Sequence, residues 1–218
     1  MSFSTRLTAI CFMSALASSV QAGVVYGTSA AAELSGSRSV ASNTITVENN
    51  DPDWDDAVIT WNIVDQMNGT FSYSYTFTGF NRPAISHFTL DLTDDAVSDS
   101  NAVTGATYNG VGFGAIEYGN KDGITGAVKF DIGGDDGTLT YAFTSNRSPV
   151  YGDFFLKAGG GTSGKNVGFG NKTLMTTTSY LPRPNGVAVP EPSAFLYLGL
   201  LALATFGSRR LRKRSTAC

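Results

Sequence analysis

Between Cys11 and Cys218 the 218-residue sequence contains no cysteine. That absence removes a disulfide-stapled scaffold, a thiolate nucleophile and a cysteine-bound zinc site from the intervening chain. Its stability must come from packing. Histidine is almost missing too, with His87 the single example. A Ser-His-Asp site would have to use it as the base, yet no pattern assigns it a nucleophile. By strand alternation His87 shares a face with Thr89 and Asp91, opposite Phe88 and Leu90, and that face should be the wetter one. Basic charge is scarce in the middle of the chain. Of the net −3, one positive charge lies in the first 22 residues and a net four lie beyond Val189, which leaves −8 between them. An acidic body lacks the basic stripe of a nucleic-acid binder, so no nucleic-acid partner is expected. Long apolar runs are missing as well: the two that exist sit near the ends, and neither has the roughly 20 residues of a comfortable membrane span.

The first of these runs, "LTAICFMSALASSV", follows a short head carrying Arg6 and precedes Val20-Gln21-Ala22. A basic head, an apolar run of about a dozen residues and small residues at the third and first positions before a cut describe a secretory signal peptide. Cleavage is expected after Ala22, with the Sec export machinery as partner. The second run lies in "VPEPSAFLYLGLLALATFGSRRLRKR". Residues 193–207 would make a helix of about 22 Å against roughly 30 Å of hydrocarbon. Upstream, Pro190, Glu191 and Pro192 resist both helix and burial. Downstream, the basic anchor of Arg209, Arg210, Arg212, Lys213 and Arg214 should stay on the cytoplasmic side of the inner membrane. The body then faces outward on a weak anchor.

Pro-Glu-Pro, a short apolar helix and a terminal basic cluster, on a chain with a leader, resemble the PEP-CTERM sorting segment, also called the ice-binding protein C-terminal domain, a label that carries no evidence of ice binding. The resemblance covers the last 29 or so residues. It implies export by a Gram-negative bacterium that makes exopolysaccharide, transient tethering at the inner membrane, cutting by exosortase, a membrane protease-transpeptidase, and delivery to the cell surface, the medium or a biofilm matrix. It implies no chemistry for the body. The expected organisation is a signal peptide at 1–22, a body at 23–181, a linker at 182–189 and the sorting segment at 190–214.

The body reads as all-β, an antiparallel β-sandwich or jelly roll in a single domain, between a signal helix and a short transmembrane helix. In "TFSYSYTFT" Phe71, Tyr73, Tyr75 and Phe77 alternate with Ser and Thr, the period of a half-buried strand. Ile59, Trp61 and Ile63 mark another strand, as do Phe88, Leu90 and Leu92. Val128, Phe130 and Ile132 are expected to pair with Leu139, Tyr141 and Phe143 as a hairpin across "GGDDG". "TITVE" and "VYGDFFLKA" supply further strands, making seven or eight, and no amphipathic helix is evident. "GTSAAAELSGSRSVASN" is small and polar, a mobile arm or a poor edge strand. "PRPNGVAVPEP" reads as a stiff extended tether.

Chemistry is sparse. Asp51, Asp53 and Asp55 in "NNDPDWDD" alternate as oxygen ligands for Ca²⁺ would, but Asp56 and Asn62 stand where a calcium loop wants Gly and Glu. A solvated turn accounts for them. No other cofactor is expected. "GGGTSGKN" approaches a phosphate loop, but it lacks the Ser or Thr that would hold Mg²⁺ and has no helix pattern behind it. Asn68, Asn146 and Asn171 head glycosylation tripeptides, which mark surface positions at most. Trp54 and Tyr118 near loops are candidate exposed ring platforms, whereas Tyr73, Tyr75 and Phe77 belong in the core. No catalytic residue is assigned. Carboxylate pairs for glycan hydrolysis depend on spatial separation, so sequence leaves them open. Two readings follow: a non-catalytic exported surface or matrix protein, and a carbohydrate-directed jelly roll that binds or, second, cleaves extracellular polysaccharide.

Overall fold

The computed structural model describes residues 26–49, 52–92, 102–112, 116–132, 137–172 and 179–188. Expectations for Ala22, for Pro190, Glu191 and Pro192, for the basic cluster from Arg209 to Arg214 and for both terminal helices therefore concern residues outside those described. Among the described residues the only helical pieces are two 3-10 turns, Pro52–Trp54 and Gly159–Gly161. The all-β, antiparallel expectation holds.

Two six-stranded sheets form the body. The first runs in the order β1 (Ser35–Ser39), β3 (Val58–Asp65), β4 (Phe71–Thr78), β10 (Leu139–Ser145), β6 (Thr104–Tyr108) and β7 (Val111–Gly112). The second runs β2 (Ile45–Glu48), β13 (Ser163–Asn166), β12 (Phe154–Ala158), β5 (Ile85–Asp91), β9 (Ile124–Asp131) and β8 (Ile116–Lys121). A separate two-stranded ribbon joins β11 (Arg147–Gly152) to β14 (Leu181–Ala188). All pairings are antiparallel.

Alternation decides which side chains meet between the sheets. Tyr73, Tyr75 and Phe77 of β4 are fully buried, as expected of them. Their rings meet the opposite layer: Tyr75 lies 5.5 Å and Phe77 5.1 Å from Phe88 of β5, centroid to centroid. Such offset and edge contacts are each worth about 0.5–1.5 kcal/mol beyond burial.

The expected β9–β10 hairpin is not formed. β9 pairs with β5 and β8, whereas β10 pairs with β4 and β6. The two strands lie in different sheets, and Phe130 meets Tyr141 ring to ring, at 4.1 Å with the planes tilted by 47°, instead of along a ladder. Alternation specifies a buried face but not a hydrogen-bonded neighbour, and each strand is paired along both edges with other strands.

The expected linker is also corrected. Residues 182–188 are not a tether, because they belong to β14, with Val150 of β11 opposite Arg183 and Tyr151 opposite Pro182. Pro182 and Pro184 lack donors and so suit an edge strand. The hydroxyl of Tyr75 donates to the Pro182 carbonyl at 2.6 Å, and Arg147 donates to that of Gly186. The small polar stretch after the leader resolves as edge strand β1 plus a segment at 27–30 bonded to β11.

The two outer faces differ in chemistry. On the first sheet the outward side chains are Ser37 beside Thr60, Thr60 beside Thr76 and Thr76 beside Thr140. Asn62, Ser74 and Ala142 form the next row. On the second sheet Thr46, Lys165, Phe155, Thr89, Lys129 and Glu117 stand in one cross-strand row. Glu48, Ser163, Lys157, His87 and Asp131 stand in the adjacent row. In these outward rows the charged side chains all lie on the second sheet.

Candidate functional site

His87 anchors the open part of that charged face. A two-residue turn of Asp122 and Gly123, both at positive φ, joins β8 to β9. This is the Asp-Gly geometry of a tight hairpin, and it folds the Asp122 carboxylate back over the sheet. Thr89 donates to that carboxylate, and His87 Nε2 lies 3.2 Å from it. Beside them runs a strip of rings. His87 stacks on Phe155 at 6.3 Å, and Phe155 meets Phe169 at 6.1 Å. The Lys165 ammonium sits 5.6 Å over Phe169, a cation–π arrangement.

The charges around the strip are paired. Lys129 lies 2.6 Å from Asp131, Lys121 lies 2.7 Å from Glu117, and Lys165 pairs with Glu48, which also accepts from Ser163 at 3.1 Å. Burial holds His87 below the ordinary histidine range, with Lys129 acting the same way against the opposing pull of Asp122. The imidazole is thus neutral at pH 7. Ser86 Oγ is 3.5 Å from Nδ1, but it donates to the Lys157 carbonyl at 3.0 Å. It is a ladder-side hydroxyl, not an activated nucleophile. The patch can stack on and hydrogen-bond a polyhydroxylated ligand.

The other end of the same face is closed by a buried ionic cluster. Arg183 from β14 and Asp91 from β5 are both essentially inaccessible and lie 3.5 Å apart. Tyr26 donates its hydroxyl to the same Asp91 oxygen. The Tyr26 ring lies under Lys172 at 4.9 Å and under Arg183 at 5.5 Å, and packs edge-on against Tyr180 at 5.8 Å. Next to it, Asp153 accepts from Asn166 at 2.8 Å and from the Gly170 amide at 3.2 Å. Burial raises the pKa of both Asp91 and Asp153, partly offset by Arg183 at the first and by Asn166 at the second. Thr89 and Asp91, expected on the wetter face, are therefore fully buried: the Asp122 turn covers one and the Tyr26–Arg183 cluster covers the other.

The remaining candidates scatter. Asp53 and Asp55 are exposed around the first 3-10 turn, Asp51 is outside the described residues, and among the described residues no three metal-ligating side chains converge. Trp54 is not an exposed platform. It is wholly buried, donates to the Pro83 carbonyl at 3.0 Å and packs edge-on against Phe80 at 4.9 Å. Tyr118 is half-buried and packs against the core. Gly159–Gly161 leads into strand β13, so the glycine-rich loop has no helix behind it to hold phosphate. Asn68 and Asn171 are exposed, but Asn146 is half-buried. Sequence reasoning missed Asp122, Phe155 and Phe169; the Asp-Gly pair between alternating runs was a readable hairpin signal for the first. It missed Arg183 and Tyr26 altogether.

Residues 188–214 match the family model of the PEP-CTERM protein-sorting motif. The match begins on Ala188, the last residue of β14. It supports an exported protein sorted through exosortase to the cell surface or beyond. No curated protein and no solved structure matches the chain.

Proposed function

We propose that this chain is a non-catalytic exported protein, carried out through the Sec machinery and held briefly at the inner membrane by its tail. Exosortase cuts it there, and the β body then works in the exopolysaccharide or biofilm matrix. The observation that carries this reading is the continuity of body and address: the sorting motif starts where the last body strand ends. Only four residues, 189–192, separate β14 from the apolar run, a reach of at most about 14 Å. The body is thus presented close to the membrane, as a short-lived substrate would be. Intact mass of the protein recovered outside the cells tests it. Loss of both residues 1–22 and the stretch beyond Pro-Glu-Pro is the expected result, and full-length chain in the cytosol overturns it.

A second reading, a carbohydrate-binding module, is favoured by the His87–Phe155–Phe169 strip with its flanking lysines and carboxylates. Glycan cleavage has less support than binding, because the two best-buried carboxylates, Asp91 and Asp153, are enclosed. Titration against a panel of bacterial polysaccharides distinguishes the readings. If Phe155→Ala and Phe169→Ala retain any binding in full, the strip is not the site.

A further inference from the structure

β11 is bonded along both of its edges. On one side lies β14. On the other, the Gly27 amide donates to the Tyr151 carbonyl at 2.7 Å, the Tyr151 amide to Thr28 at 3.0 Å and the Ala30 amide to Pro149 at 3.0 Å, with Ser29 bridged to Val150. The segment at 27–30 and β14 therefore run parallel to each other, one on each flank of the same strand. They also meet through side chains. Tyr26 closes over the Arg183–Asp91 pair, and Arg38, itself paired with Glu33 at 3.3 Å, donates to the Tyr180 carbonyl at 3.0 Å just before β14 begins. Glu33 in turn accepts from the Tyr151 hydroxyl at 2.7 Å.

We infer that residues 26–30 are a strap that locks β14 into the body and so guards the junction with the sorting segment against proteolysis. Proteases take substrate in an extended, unpaired form, and a paired strand must first open to supply one. β14 on its own is a poor candidate to stay closed: it is an edge strand with two prolines, and its ribbon has only two strands. The strap adds a second row of backbone bonds to β11, along its other edge. Through Tyr26 it also donates to the Asp91 oxygen that faces Arg183, so the buried pair would lose a partner without it. Cutting is then confined to residues past Ala188, and the processed body keeps all of β14. Both chain ends of the body thus share one lock.

Amide hydrogen exchange on the purified full-length chain in detergent, as wild type, Tyr26→Phe and Tyr26→Ala, tests this. In Tyr26→Ala, which loses the ring contacts as well as the hydroxyl, the Val150, Gly152 and Arg183 amides should exchange well over tenfold faster, since loss of the hydrogen bond to a charged group alone accounts for about tenfold. The Tyr75 and Phe88 amides should keep their wild-type rates. Tyr26→Phe, which keeps the ring, should fall between. Digestion with a non-specific protease, read by mass, should stop past Ala188 in the wild type and run into 181–188 in Tyr26→Ala. Uniform acceleration at all five amides, unchanged rates, or identical C-terminal trimming overturns the strap. The inference rests on the sorting reading for its purpose but not for its measurement: a chain that never left the cell would sink the proposed function and leave these readouts standing.

Discussion

Gly152 sits where a side chain cannot. A Cβ built there would collide with Nε of Arg183 and lie 2.9 Å from its Cγ, and Arg183 is fully buried with no route to swing aside. Gly152→Ala should therefore destabilise the protein by about 2 kcal/mol, the usual cost of overpacking. Combining it with Arg183→Met should cost less than the sum of the two single changes; additivity in chemical denaturation would show that the clash lies elsewhere. His87 supplies a different kind of signal. Its pKa is lowered in the fold, chiefly by burial with Lys129 assisting, while Asp122 and Asp131 oppose. Below the ordinary histidine value near 6.5 the unfolded chain binds more protons than the native one. The contribution is then present above that value and lost as pH falls from it through the lower folded value. Denaturation of wild type and His87→Gln at pH 7.5 and 5.5 should show the wild type losing more on acidification; equal losses would rule out this role. That His87 exists alone was plain from the sequence. That it is half-buried under an Asp-Gly turn was not, because Asp122 comes from a different hairpin.

At the scale of strands, alternation proved readable wherever one face was wholly apolar. β4 and β5 lie where "TFSYSYTFT" and "ISHFTLDL" predicted, and their rings point inward. β12 shows the rule most sharply: Phe154 is fully buried and Phe155, its neighbour, stands half-buried on the outer face. Phe154→Ala should cost about 3–4 kcal/mol and Phe155→Ala about 1 kcal/mol. Comparable losses for both in thermal melts would mean the register has been misplaced by one residue. Partnering was a different matter. β9 and β10 looked like a hairpin because they are adjacent and similar, yet they lie in separate sheets. β14 looked like a tether because two prolines and a glycine argue against a central strand; they do not argue against an edge strand whose outward donors are unused.

For the whole molecule, the distribution of charge matters more than its total. The three arginines of the first sheet and the ribbon, Arg38, Arg147 and Arg183, are buried in pairs or on carbonyls, while the strand lysines gather on the outer face of the second sheet. The first sheet turns Ser, Thr and Asn outward instead. A body of this kind has one chemically varied outer face, and Tyr26, Arg38 and Glu33 gather at the edge where β14 begins. Composition and order along the chain alone determined the acidic, thiol-free β body and the presence of a sorting segment at its end, because those features are local: net charge, period-two alternation and a contiguous motif. Tertiary structure decided what depends on distance through space. It placed Phe155 and Phe169 beside His87, put Phe130 and Tyr141 across a layer, and brought Tyr26 to Arg183 from opposite ends of the body. Which strand lies beside which is settled by the summed fit of many residues, and no window along the chain contains that sum.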